Sequence, residues 1–242
     1  MSAIRKSASL VIITPTNHIL YMLRPQRGAF PSMHVFPGGA LDDTDPSLQY
    51  CALRETYEET GILIAPGHET EPRIPKIKYD SYNEAILKET GVEFRSVDWN
   101  NLSFLRKFSQ WTTPKFEKRR FTTQFFVYKS PYQFDFSKFE PNSEVMSLEW
   151  LTPSEARSEF HNKRIKFMPP QFFLTTMIGA HGVDHTAKIH GHHSVAPAPK
   201  HVYEDGRVEL ELGTGHSVVL TYGPKKVIDH IELKESPLES KI

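Results

Sequence analysis

The sequence predicts an α/β protein in which short strands and helices alternate along the chain. Two observations predict this class. β-type apolar runs occur near both ends of the chain, and segments with helix-start and helix-stop residues lie between them. The composition is that of an ordinary globular protein, with 242 residues, of which 38% are hydrophobic and 24% charged. Because no repeat or low-complexity linker divides the chain, we expect a single domain over residues 1–242.

The first predicted element is a β-hairpin. Residues 9–14 (SLVIIT) and 19–23 (ILYML) are short apolar runs, and the turn formers Pro15 and Asn17 lie between them. The following residues, 24–39, are rich in proline and glycine and are predicted to form a loop.

The second predicted element is a helix over residues 45–61. Pro46 suits a first helical turn, and Gly61 is a common residue at a helix end. One face of this helix collects residues that can be buried together: Leu48, Ala52, Leu53 and Thr56.

The rest of the chain continues the alternation. We expect helices over residues 83–89 and 102–108, and strands over residues 120–128 and 144–151. Residues 152–155 (TPSE) open a further helix, and Pro170 begins another over QFFLTTMIGA. Turn residues at 205–206 and 213–215 divide a final β-rich segment.

Charge and cysteine content exclude several functional classes. Lys and Arg number 29 and Asp and Glu number 29, so the formal net charge is zero and supplies no bulk attraction for a polyanion. The single cysteine, Cys51, excludes an internal disulfide framework and a cysteine-rich zinc site. We find no apolar run long enough for a membrane span and no signal-peptide pattern at the start, and therefore expect no membrane segment.

The most informative motif is an acidic cluster on the helix predicted over residues 45–61. Glu55, Glu58 and Glu59 are spaced i, i+3 and i+4, so their carboxylates lie on one helical face and repel one another. Hard oxygen ligands of this kind suit Mg²⁺ or Mn²⁺. The Gly38-Gly39 turn before the helix would let a backbone carbonyl approach the same ion. An acidic helix face can also be simply a solvated face.

Arg54 adjoins these acids and needs a partner. Three aspartates of the preceding loop are eligible to pair with it: Asp42, Asp43 and Asp45. Such a pair would hold the helix against the loop.

The stretch over residues 38–62 resembles the Nudix box, G-x5-E-x7-R-E-U-x-E-E-x-G-U, in which U is apolar. Residues 54–62 match every fixed charged or glycine position, with Thr56 in the first apolar slot. Asp45 stands where the box has glutamate, and eight residues instead of seven separate it from Arg54. The resemblance implies the Nudix fold, an α/β/α sandwich around a mixed sheet, here with extra helices and a C-terminal β-rich extension.

Resemblance to Nudix hydrolases also implies roles for the acids. Glu55, Glu58 and Glu59 correspond to metal ligands, with the carbonyl of Gly39 (or Gly38) beside them, and Asp45 would support Arg54. A glutamate from a later strand or loop often completes such a site, and Glu144 is the candidate here. The general base stays open among three residues: Glu55, Glu59 and Glu144.

Segments outside the box resemble one subgroup, the peroxisomal coenzyme A diphosphatase-like Nudix hydrolases of animals and fungi. These segments are HVFPGGALD (residues 34–42), WTTPKFEKRRFTTQFFV (111–127), EWLTPSEA (149–156) and MPPQFF (168–173). The resemblance covers about residues 8–180 and implies cleavage of coenzyme A or acyl-coenzyme A to 3′,5′-ADP and a 4′-phosphopantetheine product. Cationic side chains that could clamp its phosphates are Arg24, Arg27, Lys118, Arg119 and Arg120.

Two other functions stay open. The same chemistry could act on NADH, ADP-ribose or capped RNA, although the zero net charge counts against RNA as a partner. A non-catalytic nucleotide-binding protein is the third hypothesis, but it would have no need to keep three repelling acids together.

Two features of the C-terminal region stand apart from this site. His190-Gly191-His192-His193 is either a transition-metal site or an ordinary histidine-rich loop. Ser240-Lys241-Ile242 differs from the peroxisomal address S-K-L by one aliphatic swap. Together with the subgroup resemblance, this tail favours a peroxisomal location through an import receptor, with the cytoplasm as the alternative.

Overall fold

The computed structural model describes residues 4–27, 31–117, 119–223 and 228–235. Its strands are β1 (Arg5–Ile13), β2 (Ile19–Leu23), β3 (His34–Val35), β4 (Gly38–Ala40), β5 (Arg106–Thr112), β6 (Phe121–Lys129), β7 (Ser147–Leu151), β8 (Ser194–Val195), β9 (Ala198–Val202), β10 (Val208–Glu211), β11 (His216–Tyr222) and β12 (Ile228–Glu235). Its α-helices are α1 (Leu48–Thr60), α2 (Tyr82–Thr90), α3 (Pro153–His161), α4 (Pro169–His181) and α5 (Val183–His190).

The central sheet has eight strands and mixes parallel with antiparallel pairs. β1 runs parallel to β6 along its whole length, and it pairs antiparallel with β2 at the hairpin and with β4. β2 also pairs with β3 and with β7. On the other side of β1, β6 pairs with β5, and β5 pairs with β8. The predicted hairpin and the mixed sheet are confirmed.

Apolar layers cover both faces of this sheet. Leu10 and Ile12 of β1 belong to a core that also contains buried residues of α1 and α2. Val11 and Ile13 point the other way, into a core shared with α3 and α4. An eight-stranded mixed sheet between helical layers is the sandwich implied by the Nudix resemblance. Of the helices in the described parts of the chain, none is both long and apolar enough to cross a membrane.

The predicted helix over residues 45–61 is confirmed, with a shift at its start. Ser47 is the N-cap, and its Oγ accepts a hydrogen bond from the Tyr50 amide at 3.1 Å. Pro46 therefore precedes the helix instead of lying in its first turn. Gly61 ends the helix in the left-handed conformation, at φ 76°.

The helix predicted over residues 102–108 is wrong. Leu102 and Leu105 close a turn, through a 3.0 Å bond from the Leu105 amide to the Leu102 carbonyl, and β5 then begins at Arg106. The apolar spacing of Leu102, Leu105 and Phe108 imitates one helical face. In the fold, however, the two leucines pack into the core of α1 and Phe108 into the core of α4.

The predicted strand over residues 144–151 is shorter than expected. β7 starts at Ser147, and Glu144 lies in the turn before it. The Asn142 side chain accepts hydrogen bonds from the amides of Glu144 and Val145, at 2.8 and 2.9 Å, and these bonds divert the backbone from a strand. The predicted helix over residues 83–89 corresponds to α2. The helices predicted to begin at residues 152–155 and at Pro170 correspond to α3 and α4.

The C-terminal region contains the predicted β-rich segment and one unpredicted helix, α5. β9 to β12 form a four-stranded antiparallel sheet in the order β12-β11-β10-β9. Leu210, Val218 and Ile231 of this sheet are buried in the core that also contains α3 and α4. The histidine-rich tract covers the end of α5 and the segment that leads to β8.

Candidate active site

Gly38 and Gly39 on β4 lie opposite Ser9 and Ala8 of β1. A Cβ atom at residue 38 would lie 2.3 Å from the Ala8 carbonyl oxygen, and the φ of Gly38 is +150°. Glycine is therefore required at this position for β4 to pair with β1.

Glu59 is the buried acid of the site, with 5% of its surface exposed. Its Oε2 accepts a 2.8 Å hydrogen bond from the Gly38 amide, which connects the end of α1 to β4. Burial raises the pKa of Glu59 well above its ordinary value, and the charges of Glu55 and Glu144 add to the increase. The Gly38 amide and Arg24 act in the opposite direction.

Glu55 lies one helical turn before Glu59 and fills the space beside Gly39. A Cβ atom at residue 39 would lie 2.3 Å from Oε2 of Glu55, so only glycine leaves room for this carboxylate. Burial raises the pKa of Glu55, Arg54 lowers it, and Glu58 and Glu144 raise it further. The i, i+4 spacing thus places two electrostatically coupled carboxylates at one glycine pair.

Arg54 takes Asp45 as its aspartate partner. Its Nε and Nη2 atoms donate to the two carboxylate oxygens of Asp45, both at 2.8 Å, in a bidentate pair. The Asp42 amide donates to Asp45 Oδ2 at 2.9 Å, which orients the aspartate. Nη1 of Arg54 also donates to Glu55 and to Glu58, each at 2.9 Å. Arg54 therefore joins the loop before α1 to the acidic face of the helix.

Two residues from elsewhere in the chain come within electrostatic range of these acids. Glu144 raises the pKa of both Glu55 and Glu59, and Arg24, which is half-buried at the end of β2, lowers that of Glu59. The backbone brings their segments together, because the Met146 amide donates to the Leu23 carbonyl at 2.8 Å. The fold thus brings Glu144 and Arg24 within electrostatic range of the two acids that lie at Gly38 and Gly39.

The other predicted cations lie differently. Arg27 is exposed in the loop after β2, and Lys118 lies outside the described residues. Arg119 is exposed in the loop between β5 and β6, where Nε of Arg120 donates to the Thr113 carbonyl at 3.2 Å. In the described part of the chain, neither Arg119 nor Arg120 forms an ion pair with an acid of α1.

The residue types around Gly39 fit a hard divalent cation. Glu55, Glu58 and Glu59 supply carboxylate oxygens, and the absence of a Cβ at Gly39 brings one of them against the backbone. However, no group of three or more His, Cys, Asp or Glu side chains is arranged to hold an ion in residues 4–27, 31–117, 119–223 and 228–235. Arg54 binds one oxygen each of Glu55 and Glu58, so an ion would bind these carboxylates through their other oxygens or displace Arg54. These ranges include the histidine-rich tract, so no such group is present there either.

Asn142 and a cleft beside the acids were not predicted from the sequence. The cleft has a volume of about 450 Å³ and lies between the end of α1, residues 74–78 and residues 135–142. Asn142 lines it and also orients the turn that carries Glu144. An Asn-Ser pair before Glu144 is a turn signal that could have indicated this role. The cleft itself joins segments that are distant in sequence, so no local pattern could indicate it.

Two family models match the chain. The NUDT19 Nudix domain model matches residues 45–177, and the NUDIX domain model matches residues 3–77. The solved structure of a NUDIX hydrolase from Alicyclobacillus acidocaldarius superposes with a TM-score of 0.56 at 24% identity, over 77% of this chain and 96% of that one. This structural likeness shows the fold.

Curated relatives agree with the family models. Putative nudix hydrolase 7 of Caenorhabditis elegans is 27% identical over 73% of this chain, and acyl-coenzyme A diphosphatase NUDT19 of Homo sapiens is 29% identical over 61%. The chain spans 61% of the length of the first and 44% of the second. Since the NUDT19 model covers more than half of the chain and includes the acids of α1, the chain belongs to the NUDT19 Nudix domain family of Nudix hydrolases.

Proposed function

We propose that this protein is a metal-dependent diphosphatase that hydrolyses the pyrophosphate of coenzyme A or acyl-coenzyme A. The products would be 3′,5′-ADP and 4′-phosphopantetheine or its acyl derivative. The supporting observation is the placement of Glu59 and Glu55 at Gly38 and Gly39, with Glu144 and Arg24 within electrostatic range. The name of the human relative, acyl-coenzyme A diphosphatase, supports the substrate class.

Mg²⁺ or Mn²⁺ would be held by Glu55, Glu58 and Glu59 and by the carbonyl of Gly39. When bound, the ion would neutralise charge on the pyrophosphate and on the carboxylates. Binding of the ion would also offset the repulsion between the acids, because burial and like charge raise the pKa of Glu55 and Glu59. A cation favours the ionised form of both.

The protein groups divide the remaining tasks. A carboxylate accepts the proton of the attacking water, and Glu55, Glu59 and Glu144 all remain eligible for this role. Arg24 lies near Glu59 and is suited to orient a phosphate oxygen, with Arg27, Lys118, Arg119 and Arg120 as further proposed phosphate contacts. Arg54, oriented by Asp45, positions the acids and need not contact the substrate.

A substrate panel tests the reaction. Phosphate-containing products are measured with coenzyme A, acyl-coenzyme A, NADH, ADP-ribose and capped RNA, with Mg²⁺, with Mn²⁺ and with excess chelator. We expect metal-dependent cleavage of coenzyme A or its acyl derivatives. Preferential cleavage of ADP-ribose or NADH would favour the second hypothesis. Binding without turnover of any diphosphate would favour the nucleotide-binding protein.

The peroxisomal location is a further proposal. It rests on Ser240-Lys241-Ile242, which lies outside the described residues, and on the subgroup resemblance. Fusing these residues to the C-terminus of a fluorescent reporter tests it. Import into peroxisomes is expected, and a uniformly cytosolic reporter would contradict recognition by the import receptor.

A further inference from the structure

The cleft beside Glu58 and Glu59 has a predominantly apolar lining. Its volume is about 450 Å³, and the two acids stand on one wall, so it opens directly onto the proposed metal site. The apolar part of the lining includes six residues: Ile74, Pro75, Ile77, Phe136, Phe139 and Pro141.

Two of these side chains are unusually exposed for their type. Ile77 is 62% exposed and Ile74 is 42% exposed, and Ile74 lies against Gly61 at the end of α1. Two neighbouring exposed isoleucines within a concave surface favour a binding role, because such apolar area is costly to leave in water.

The walls of the cleft are held in place by the surrounding structure. Two contacts fix the chain just before residues 74–78. The Pro72 carbonyl accepts a hydrogen bond from the Tyr132 hydroxyl, and Arg73 forms a β-bridge with Leu63. On the opposite wall, Phe136 stacks on Trp150 with ring centroids 6.1 Å apart. Little ordering is therefore required before a ligand can bind.

The charged residues of the cleft do not favour a phosphate. Lys78 and Lys138 are offset by Asp135 and Glu140, and Glu58 and Glu59 add two further acids, so the lining carries no excess positive charge to attract a phosphate. An uncharged arm with aliphatic and amide groups fits such a lining. The phosphates and nucleotide would then extend from the acids toward Arg24.

We propose that this cleft binds the pantetheine arm of coenzyme A and the acyl chain attached to it. The inference rests on the proposed function, because it takes the diphosphate to lie at Glu55 and Glu59. It assigns substrate selectivity to Ile77, Ile74 and Phe139, none of which belongs to the Nudix box.

A thiol placed in the cleft tests this assignment. Cys51 is fully buried, so Ile77→Cys would carry one accessible thiol, and the exposure of Ile77 makes the change compatible with folding. The probe is the mixed disulfide of coenzyme A with thionitrobenzoate. The introduced thiolate attacks the sulfur of coenzyme A, and the S–S bond breaks with release of coloured thionitrobenzoate. Mass spectrometry identifies the adduct as coenzyme A or, after hydrolysis, phosphopantetheine.

Leu87→Cys on α2 is the matched control, because Leu87 is 47% exposed and does not line the cleft. Each rate is divided by the rate with 5,5′-dithiobis(2-nitrobenzoate), which corrects for intrinsic thiol reactivity. We expect the corrected rate to be about tenfold higher for Ile77→Cys, since binding raises the local concentration of the disulfide. Excess palmitoyl-coenzyme A should suppress this advantage.

Hydrolysis by the unmodified protein is measured in parallel, which separates the two proposals. If coenzyme A is hydrolysed but both corrected rates are equal, the arm lies elsewhere and the cleft assignment is wrong. If Ile77→Cys is labelled preferentially without any hydrolysis, the cleft assignment holds and the proposed reaction is wrong. Equal rates without hydrolysis would overturn both.

Discussion

At the scale of single residues, the two adjacent glycines of β4 have different tasks. The Cβ atom missing at Gly38 would collide with backbone, and that missing at Gly39 would collide with the end of a flexible side chain. The first glycine therefore permits strand pairing, and the second permits the placement of the Glu55 carboxylate.

We expect Gly39→Ala to lower kcat/KM by about 10²-fold, because the Glu55 carboxylate must move by an ångström or more. The free energy of unfolding should change by less than about 1 kcal/mol, since Glu55 can rotate away. Gly38→Ala should instead destabilise the protein by about 2 kcal/mol or more, because β4 must shift from β1. Urea denaturation and steady-state kinetics measure both effects. Equal destabilisation by the two variants would contradict this division.

Glu59→Gln removes the buried charge but keeps an oxygen that can accept from the Gly38 amide. We expect kcat to fall by about 10²-fold or more, whether Glu59 binds metal or accepts a proton. Circular dichroism should show an unchanged fold. Glu232→Gln on β12 is the control, because Glu232 is exposed on the C-terminal sheet. Full activity of Glu59→Gln would remove this residue from the site.

At the scale of elements, local signals identified α1 more reliably than β5. Ser47 caps the start of α1 through a side-chain hydrogen bond, and Gly61 ends the helix in the left-handed conformation. Both devices depend only on neighbouring residues. β5 depends on β6, to which it is paired from Arg106↔Val127 to Thr112↔Thr122, and on the core that buries Phe108 and Trp111. Its apolar spacing alone therefore predicted the wrong element.

The C-terminal sheet contains a buried carboxylate, Glu209, whose side chain is 8% exposed. It accepts hydrogen bonds from Lys200, Tyr203 and Ser217 at 2.6–2.8 Å. The bond from Lys200, followed by those from Tyr203 and Ser217, lowers the pKa of Glu209 from 4.5 to about 2. The ionised form thus connects β9, β10 and β11.

We expect Glu209→Gln to lower the free energy of unfolding at pH 7 by about 1–3 kcal/mol, because bonds to a charged group are lost. Since the pKa is depressed in the folded state, this contribution is present above pH 4.5 and disappears as the pH falls toward 2. Urea denaturation of the unmodified protein and of Glu209→Gln should show a smaller difference in unfolding free energy at pH 3 than at pH 7. Glu211→Gln, at an exposed position of the same strand, should have little effect at either pH.

At the scale of the whole molecule, His190 links α5 to the remainder of the C-terminal region. The residue is 4% exposed, its ring lies 5.2 Å from that of Phe173 of α4, and its Nδ1 has no hydrogen-bond partner among the described residues. Burial is the largest cause that lowers the pKa of His190 to about 4, and the neighbouring His216, His193, His181 and His185 contribute to the same shift. The folded protein therefore holds this ring neutral.

The sign of the resulting pH dependence follows from proton uptake. Between about pH 6.5 and 4 the unfolded chain binds a proton at His190 that the folded protein excludes, so stability falls as the pH is lowered. We expect His190→Leu to reduce the loss of unfolding free energy between pH 7 and 5 by about 1–2 kcal/mol. His192→Asn, at an exposed position that does not contribute to the pKa shift of His190, should leave the loss unchanged. An unaltered pH dependence in His190→Leu would contradict the buried neutral ring.

The sequence by itself determined the acidic helix face, the glycine pair before it and the alternation of strands and helices. These features depend on contacts within a few residues, such as i, i+4 spacing and helix caps, and a linear pattern carries them. The tertiary structure decided that Asp45, among the three eligible aspartates, forms the bidentate pair with Arg54, nine residues along the chain. It also brought Glu144 and Arg24 within electrostatic range of the acids and formed an apolar cleft beside Glu59. These last contacts join segments far apart in sequence, and strand pairing and core packing set their distances.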